Sequence, residues 1–294
     1  MNGKCMLCPR KCGVDRNNGE LGFCRCGAAP IIARAAPHFG EEPCISGSCG
    51  SGAVFFSGCN MQCVFCQNRE ISFEGHGKVI SVSRLAEIFS ELEESDVHNI
   101  NLVTPTHFTD VIIEALKIAK PNIPVVWNSS AYENIETLKM LEGYVQVYMP
   151  DFKYTSNDAA LRYSGAKDFP NIAKSAIMEM YRQTGAFVLD NEGLLKKGVL
   201  IRHLVLPGRL DDAFDIIDWV SESFPKNAVF FSLMSQFVPL ADKKKYPELS
   251  RSLTREEYDR AFSYLSLSAI ENGYFQELSS ATDELIPSFD LTGV

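Results

Sequence analysis

The chain has 294 residues, ten of them cysteine, and a formal net charge of -9. This length can bury the core of one α/β barrel with a small appendage, and it argues against two unrelated large domains. The acidic balance gives no electrostatic case for a polyanion, so nucleic acid is disfavoured as a partner.

The sequence also lacks the segments that direct a protein to or across a membrane. No stretch reaches the roughly 18 consecutive apolar residues of a membrane-spanning helix, and the first residues, MNGKCMLCPRKCG, resemble neither a signal peptide nor a transit peptide. We therefore expect a cytoplasmic protein without a membrane partner. All ten cysteines fall within the first 66 residues, and thiols clustered in this way in a reducing compartment usually bind metal.

Residues 1–50 are rich in Cys, Gly and Pro and lack helical or strand periodicity, which predicts loops held by metal rather than by a core. Four thiols make a complete ligand set for a zinc ion or a second 4Fe-4S cluster: Cys5, Cys8, Cys12 and Cys24. We favour a structural site at the entrance of the following domain; the alternative is an auxiliary cluster that relays electrons or binds substrate. Three cysteines of this segment have no assigned role: Cys26, Cys44 and Cys49.

The first strand of the next segment, AVFFSG at residues 53–58, runs directly into three cysteines in the pattern C-x3-C-x2-C. They are Cys59, Cys63 and Cys66. A closed structural site needs four protein ligands, whereas a 4Fe-4S cluster held by three thiolates leaves one iron free for another ligand. Gly58 gives the chain room to turn into the cysteine loop. A zinc knuckle with a distant fourth ligand is the competing interpretation, although zinc spacings usually come as paired C-x2-C.

From residue 51 onward, short β-branched or aromatic runs alternate with helical patterns. Six strand-helix units follow one another, with strands expected at residues 53–58, 99–104, 124–130, 145–152, 198–208 and 228–237. This alternation predicts a parallel sheet with outer helices. We expect a partial (β/α)6 barrel of the TIM type over residues 51–275. Residues 276–294 are expected to be a packed extension or a frayed end.

Polar side chains follow nearly every predicted strand, at the face where barrel enzymes place their chemistry. The candidates after the second to sixth strands are Thr104, Thr106, Asn128, Ser129, Asp151, Lys153, Arg202 and Gln236. Asp151 and Lys153 are two residues apart at a strand end, so both can reach one ligand. Of the adjacent Arg202 and His203, only one can point into the barrel. Simpler roles remain open: helix capping for the threonines and the glutamine, and a surface ion pair for the Asp-Lys pair.

Taken together, the segments CMLCPRKCGVDR, EEPCISG, GSGAVFFSGCNMQCVFCQN, VTPTHF, PDFKY and IRHLVLPG resemble the branch of the radical S-adenosylmethionine (SAM) superfamily related to pyruvate formate-lyase activating enzyme. The resemblance implies a 4Fe-4S cluster on the three clustered cysteines and SAM at the open iron. It implies reductive cleavage of SAM to a 5′-deoxyadenosyl radical that abstracts hydrogen from a substrate. An electron donor such as flavodoxin or ferredoxin is also implied.

The resemblance further suggests which residues contact the cofactor. Phe65 and Asn68, on either side of the last cysteine, are expected near SAM, with Phe65 beside the adenine. Thr104 and Thr106 stand where many members carry a Gly-Gly-Glu stretch for the SAM amino group, and hydroxyl oxygens can accept from an ammonium equally well. Arg202 is favoured as the inward-pointing member of its pair, because its fork suits the SAM carboxylate.

Three functions stay open on the sequence alone. The strand end Asp151-Phe152-Lys153 resembles that of glycyl radical enzyme activases, where the matching residues contact SAM or steer the radical, so a protein or peptide substrate is our first hypothesis. The second is a small metabolite or a nucleoside in RNA, the latter disfavoured by the acidic charge. The third is an iron-sulfur or zinc carrier without catalysis. Kinship at the level of the fold does not decide between them.

Overall fold

In the computed structural model, residues 4–278 and 287–294 are described, and strands alternate with helices along most of them. The strands are β1 (Ile31–His38), β2 (Ser51–Phe56), β3 (Lys78–Val79), β4 (Ile100–Val103), β5 (Val125–Ser129), β6 (Val147–Pro150), β7 (Val188–Leu189), β8 (Leu195–Leu204), β9 (Phe230–Met234) and β10 (Gly273–Phe275). The helices are α1 (Pro43–Ser46), α2 (Arg69–Ser72), α3 (Val82–Glu94), α4 (Thr109–Ala119), α5 (Ile135–Met140), α6 (Asn157–Ser164), α7 (Phe169–Thr184), α8 (Leu210–Ser223) and α9 (Arg255–Leu267).

Parallel strands build the barrel wall in the order β2, β4, β5, β6, β8, β9 and β10. β1 pairs antiparallel with the outer side of β2, β3 pairs with the other edge of β1, and β7 pairs with β8. Within the described residues no ladder joins β10 to β3, so the barrel is open on that side. This arrangement confirms the expected α/β class with a partial barrel of the TIM type.

Two features of the sheet differ from the sequence-based expectation. Residues 31–38 form β1, an eight-residue strand inside the segment expected to be loop, so that part of the prediction is wrong. The strand is rich in alanine, which is depleted in strands, and both of its faces are largely buried, so no polar-apolar alternation marks it. β10 adds a seventh parallel strand to the six expected, and its three residues are too few to carry a periodic signal.

The outer helices are amphipathic and begin at recognisable caps. On α3 the buried residues Leu85, Ile88, Phe89 and Leu92 recur at the helical period and form one face against the sheet. The Ser81 hydroxyl accepts a hydrogen bond from the Arg84 amide at 3.1 Å and so starts this helix. None of the helices in the described part of the chain is both long and apolar enough to cross a bilayer.

The inside of the barrel is layered, and this layering positions the site. At the starting ends of the strands, Cys44 and Ile45 of α1 pack with Val126, Val147 and Phe230 in an apolar plug. Side chains two residues apart on a strand share a face, so the next layer inside the barrel comes from the next alternate positions. That layer is mostly polar and includes Asn101 on β4, Asn128 on β5, Arg202 on β8 and Ser232 on β9, whereas Met149 on β6 belongs to the apolar plug. The barrel therefore has an apolar plug below and a polar layer above it.

The last described residues, 287–294, pack against the outside of β1. The Ala35 amide donates to the Thr292 carbonyl at 2.9 Å, and the Leu291 amide donates to the Ala33 carbonyl at 3.1 Å. Phe289 is buried and meets Phe55 edge to face. These residues form a packed extension; the neighbouring residues 279–286 lie outside the described part of the chain.

Candidate functional site

A cavity opens at the carboxyl ends of the parallel strands, above the polar layer. Its wall includes every barrel residue that the sequence singled out: Cys59, Cys63, Phe65, Cys66, Asn68, Thr104, Thr106, Asn128, Ser129, Asp151, Lys153, Arg202 and Gln236. These side chains come from five strand ends and the loop after β2, so the fold gathers what the sequence distributes over almost 180 positions. The four amino-terminal cysteines do not line this cavity.

The loop after β2 presents three free thiols to the cavity. Each sulfur accepts one hydrogen bond: Cys59 from the Met61 amide at 3.3 Å, Cys63 from the Ser164 hydroxyl at 3.0 Å, and Cys66 from the Ser72 hydroxyl at 3.3 Å. Donors aimed at sulfur stabilise thiolate and tune the potential of an iron-sulfur cluster. The loop is therefore arranged for three thiolates rather than for a disulfide.

Burial and repulsion from neighbouring thiols keep Cys59 and Cys66 from ionising without a cation beside them. Burial first, and then the neighbouring Cys63, raises the pKa of Cys59 to about 12, and the same causes raise the pKa of Cys66. A bound metal centre removes this penalty because it supplies positive charge to the thiolates. Within residues 4–278 and 287–294, no three His, Cys, Asp or Glu side chains gather closely enough for one metal ion. Three soft thiols around one cavity instead fit a cluster in which each binds a different iron.

Gly58 lies at the junction of β2 and the cysteine loop, where only glycine fits. Its φ is +82°, and a Cβ there would clash with the Cys26 sulfur and come within 2.6 Å of the Cys24 carbonyl oxygen. Both neighbours belong to the amino-terminal segment. The cysteine loop therefore turns directly against that segment, and glycine permits both the turn and the close approach.

We expect Gly58→Ala to lower iron retention severalfold after anaerobic reconstitution, because the new Cβ pushes the loop away from the amino-terminal segment. Gly75→Ala is the matched control: Gly75 also has a positive φ, +72°, but a Cβ there meets no atom within 4 Å. Both variants place a Cβ in the left-handed region, at a cost of roughly 1–2 kcal/mol, so the difference between them measures the clash. Equal iron content in the two variants would contradict the prediction.

Arg10 fastens the amino-terminal segment to the cluster loop. Its guanidinium donates to the Asn60 carbonyl at 2.8 Å and to the Ser164 carbonyl at 2.8 Å. It also stacks over the Phe23 ring at 3.8 Å. Since Asn60 lies within the cysteine loop and Ser164 donates to Cys63, this one side chain links the segment to two elements that shape the cluster site.

The amino-terminal cysteines lie on the outer side of the same loop. Cys8 and Cys24 are buried, and Cys12 accepts a hydrogen bond from the Phe23 amide at 3.2 Å. Burial, followed by the nearby Cys24 and Cys12, raises the pKa of Cys8 to about 12. These three thiols are thus close enough to influence one another. Cys26 lies beside Cys24: its thiol lies 3.4 Å from the Cys24 carbonyl oxygen and 3.3 Å from the Ser57 carbonyl oxygen, and its hydrogen bond to the Cys24 sulfur lowers the pKa of Cys24 to about 6.

A network of ion pairs crosses the cavity beneath the cysteine loop. Arg202 donates from Nε to Asp151 at 2.8 Å, from Nη1 to Glu41 at 2.8 Å, and from Nη2 to the Asn128 side-chain oxygen at 2.8 Å. Lys153 donates to the other oxygen of Asp151 at 2.9 Å. The two nearby cations hold the pKa of Asp151 below its usual range against the effect of burial. Asp151 therefore stays ionised between Arg202 and Lys153.

This network refines the roles expected of Arg202 and Lys153. Arg202 lines the cavity, whereas His203 is buried with Nδ1 2.8 Å from the Phe152 carbonyl, so Arg202 is the inward member of the pair. Its fork is already shared between Asp151, Glu41 and Asn128. Lys153 has one of its three N–H groups on Asp151 and lies near Cys63 and Cys66. An incoming carboxylate thus has more free donors at Lys153 than at Arg202.

The strand end at β4 is held in an uncommon backbone conformation. Thr104 has φ +60°, which is rare for a β-branched residue and recurs at functional sites. Two residues on, the Thr106 hydroxyl donates to Glu133 at 2.7 Å, and the Trp127 indole donates to the same oxygen at 3.2 Å. Because its proton is used in this way, the Thr106 oxygen faces the cavity as an acceptor. An acceptor is what the SAM amino group requires.

Glu133→Gln should shift the pH dependence of stability of the metal-free protein. Burial raises the pKa of Glu133 from 4.5 to about 7, so the folded state holds a proton that the unfolded chain releases between these values. Wild-type stability therefore falls as the pH rises through this window, and the glutamine variant lacks that loss. Urea unfolding at pH values across this range measures the free energy of unfolding of both proteins. The variant's value minus that of the wild type should rise by up to about 3 kcal/mol as the pH increases. A difference that stays constant with pH would contradict the assignment.

The sequence reading missed one part of the cavity wall, which comes from the turn between β1 and α1. Glu41 and Glu42 line the cavity, together with His38 and Gly40 of the same turn. The available signal was the pair of adjacent carboxylates before Pro43 in a segment otherwise poor in acids. This carboxylate pair could not be assigned to the cavity without β1, because that strand places the turn beneath the barrel.

Residues 53–220 match the family model described as the radical SAM superfamily. The chain is 34% identical over 267 residues to an uncharacterized protein of Methanocaldococcus jannaschii. The matched region covers 87% of this chain and 72% of that protein. It is 29% identical over 96 residues to 7-carboxy-7-deazaguanine synthase of Methanothermobacter thermautotrophicus, over 32% of this chain and 39% of that protein.

Solved structures of SuiB from Streptococcus suis also match part of the chain. The crystal structure of SuiB bound to precursor peptide SuiA gives a TM-score of 0.49 at 12% identity, over 78% of this chain and 49% of that chain. SuiB bound to S-adenosylmethionine gives a TM-score of 0.44 at 13% identity, over 78% and 48%. The chain thus spans about half the length of these solved structures.

Proposed function

The chain belongs to the radical SAM superfamily, and on that premise we propose that it cleaves SAM reductively at a 4Fe-4S cluster and abstracts a hydrogen atom from a protein or peptide, as glycyl radical enzyme activases do. The observation that carries the proposal is the placement of Cys59, Cys63 and Cys66 on one cavity wall with the polar strand ends. Three thiolates leave one iron of the cluster without a protein ligand. That iron is where SAM would bind.

When bound, the cluster and SAM supply the redox chemistry: one electron enters the sulfonium, the S–C5′ bond breaks, and methionine and a 5′-deoxyadenosyl radical result. The residues of the chain bind and orient the cofactor. Phe65 meets Tyr154 and Tyr163 edge to face and packs against Phe237, so it offers a rigid apolar surface for the adenine. The Thr106 oxygen suits the SAM amino group, and Lys153 suits its carboxylate.

The Asp151-Lys153 pair supports an activase-like substrate. Lys153 donates a hydrogen bond to Asp151 and lies near Cys63 and Cys66. A cation held at that place can control the position of the reacting group relative to the cluster.

The test uses the anaerobically reconstituted and reduced protein. Addition of SAM should change the EPR spectrum of the cluster, and 5′-deoxyadenosine should accumulate. A cluster whose spectrum ignores SAM would overturn the proposal and favour a carrier without catalysis. With a candidate glycyl radical enzyme added, a glycyl EPR signal is expected; 5′-deoxyadenosine formation that never depends on a polypeptide would instead favour a small substrate.

We further propose that the amino-terminal segment binds a second metal centre, either a 4Fe-4S cluster or zinc, on Cys5, Cys8, Cys12 and Cys24. The effect of Cys24 and Cys12 on the pKa of Cys8 supports it, and because no three ligands of the described residues gather around one point, a cluster fits this set better than a single zinc ion. Such a centre would stiffen a segment that has little core of its own and that packs on the cluster loop.

Metal analysis of wild type and Cys8→Ser should separate this centre from the one in the cavity. We expect the variant to lose either one zinc or one cluster's share of iron, while keeping the iron held by the cavity cysteines. Cys49→Ser, at an exposed thiol, is the matched control and should keep every metal. Unchanged metal content in Cys8→Ser would contradict the second centre.

A further inference from the structure

Six polar side chains lie at the bottom of the cavity, and we call them the barrel floor. Glu41, Glu42, Asn128 and Arg202 line the cavity, and behind them Asn101 lies against Glu41 and Ser232 against Glu42. Glu41 is fully engaged, since it accepts from Asn101 at 2.9 Å, from Asn128 at 3.1 Å and from Arg202 at 2.8 Å. The strand asparagines and Arg202 therefore hold Glu41 in one position.

Glu42 differs from Glu41, because part of its carboxylate has no partner. Glu42 is 7% exposed, and its Oε2 is buried without a hydrogen bond. Arg202 Nη1 lies 3.7 Å from this oxygen, which is too far for a hydrogen bond. Two neighbours on the barrel floor also have buried atoms without a hydrogen bond of good geometry, the Asn101 side-chain oxygen and the Ser232 hydroxyl, although the Ser232 hydroxyl lies close enough to Glu42 to lower the pKa of its carboxyl. A buried carboxylate oxygen without a partner is costly, so this end of the cavity is arranged to receive a donor.

The charges around the cavity indicate which kind of donor is missing. Three carboxylates, Glu41, Glu42 and Asp151, stand against two cations, Arg202 and Lys153. Burial raises the pKa of Glu42 more than the attraction of Arg202 lowers it. A second cation beside Glu42 would offset that burial and leave it ionised.

The geometry favours a compact cation. Arg202 already takes the accessible edges of Glu41 and Asp151, so the carboxylate that remains is that of Glu42. The buried atoms without a hydrogen bond belong to three separate side chains, Glu42, Asn101 and Ser232, which suits the three separately directed donors of an ammonium better than the planar fork of a guanidinium. A donor that reaches Glu42 Oε2 also displaces no protein hydrogen bond.

We propose that the barrel floor binds a protonated primary amine of the substrate, with Glu42 as its ion-pair partner. This inference rests on the proposed function, since it treats the space between the cysteine loop and the barrel floor as the substrate site. The amine belongs either to a small metabolite or to a lysine side chain of a peptide. The SAM amino group is a separate cation, expected beside the cysteine loop.

The test measures binding of simple probes to the reconstituted protein with saturating SAM, by saturation-transfer NMR. n-Butylammonium carries the group and the chain length of a lysine side chain, and n-butanol and butyrate match its length with a neutral and an anionic end. We expect n-butylammonium to bind at least about tenfold more tightly than either, and Glu42→Gln to remove this preference while keeping the wild-type melting temperature. Equal binding of the three probes, or an unchanged preference in Glu42→Gln, would overturn the proposal.

Two controls complete the experiment. Glu179→Gln replaces a carboxylate that is 8% exposed on α7 and does not line the cavity, so it should keep the wild-type preference. If Glu42→Gln melts at a lower temperature than the wild type, Glu42→Asp serves instead. It should bind n-butylammonium more weakly than the wild type does, because the shorter side chain withdraws the carboxylate.

Further probes separate the two sources of the amine. Binding of end-blocked Gly-Lys-Gly indicates a peptide substrate, and binding of n-butylammonium alone indicates a small amine. Failure of the proposed function would be visible separately, as absence of 5′-deoxyadenosine from the same samples, whatever the probes do.

Discussion

Replacing Cys59, Cys63 and Cys66 together with alanine is expected to reduce 5′-deoxyadenosine formation to the level of a blank without protein. The three sulfurs are the ligand set that the cavity offers to the cluster, and alanine supplies no ligand in their place. Iron and sulfide bound after anaerobic reconstitution should fall by one cluster per chain. Product analysis and iron quantification on the same samples check both statements.

The matched control for the cysteine variant is Cys49→Ala, which removes an exposed thiol that does not line the cavity. It should keep full iron content and full product formation. The triple variant still carries the amino-terminal cysteines, so any iron that it retains reports on that segment. Product formation by the triple variant at even one-tenth of the wild-type rate would show that the reacting centre lies elsewhere.

Arg202→Met is expected to lower the free energy of unfolding by about 3 to 5 kcal/mol, because it leaves buried carboxylates without their cation. Arg202 is the shared partner of Asp151, Glu41 and Asn128, and its side chain is only 13% exposed. Methionine fills a similar volume, so the loss reflects charge and hydrogen bonding rather than a cavity. Urea unfolding of the metal-free proteins measures the difference.

Arg84→Met provides the comparison for Arg202, because Arg84 also pairs with two carboxylates, Glu87 and Glu91, but does so at the surface. Exposed pairs contribute about 0 to 1 kcal/mol, so this variant should unfold almost like the wild type. Adding Glu41→Gln to Arg202→Met should recover part of the lost stability, since Glu41 then carries no charge to be left unpaired, while Asp151 keeps its ion pair with Lys153. If the double variant is less stable than Arg202→Met, the loss does not come from unpaired charge.

Much of the architecture could be read from the sequence, because barrel strands and their helices carry strong periodic signals. The six expected strands fall on β2, β4, β5, β6, β8 and β9, with ends displaced by a few residues. β1 was missed because its alanines and its two covered faces leave no alternation. β10 was missed because three residues are too short a run, and its pairing depends on β9 being in place.

The site could be predicted where its residues follow strand ends, and not where they reach it from a distant turn. Thr104, Asn128, Asp151 and Arg202 occupy places that the barrel topology makes into one rim. Glu41 reaches the same cavity from the other end of the barrel, and its bonds to Asn101 and Arg202 span 60 and 161 residues. No local pattern encodes contacts over such separations.

The sequence by itself determined which thiols lie together, because the three cysteines lie within eight consecutive residues and a short loop limits how far apart their sulfurs can be. The alternation of strands and helices likewise determined that the loop would open at the rim of a barrel. Only the tertiary structure decided what lies beneath and behind that loop: the barrel floor with its unpartnered Glu42 carboxylate, and the amino-terminal segment packed against Gly58. Ligand spacing is a local property of the chain, whereas the partners of a buried charge are chosen by how distant elements pack.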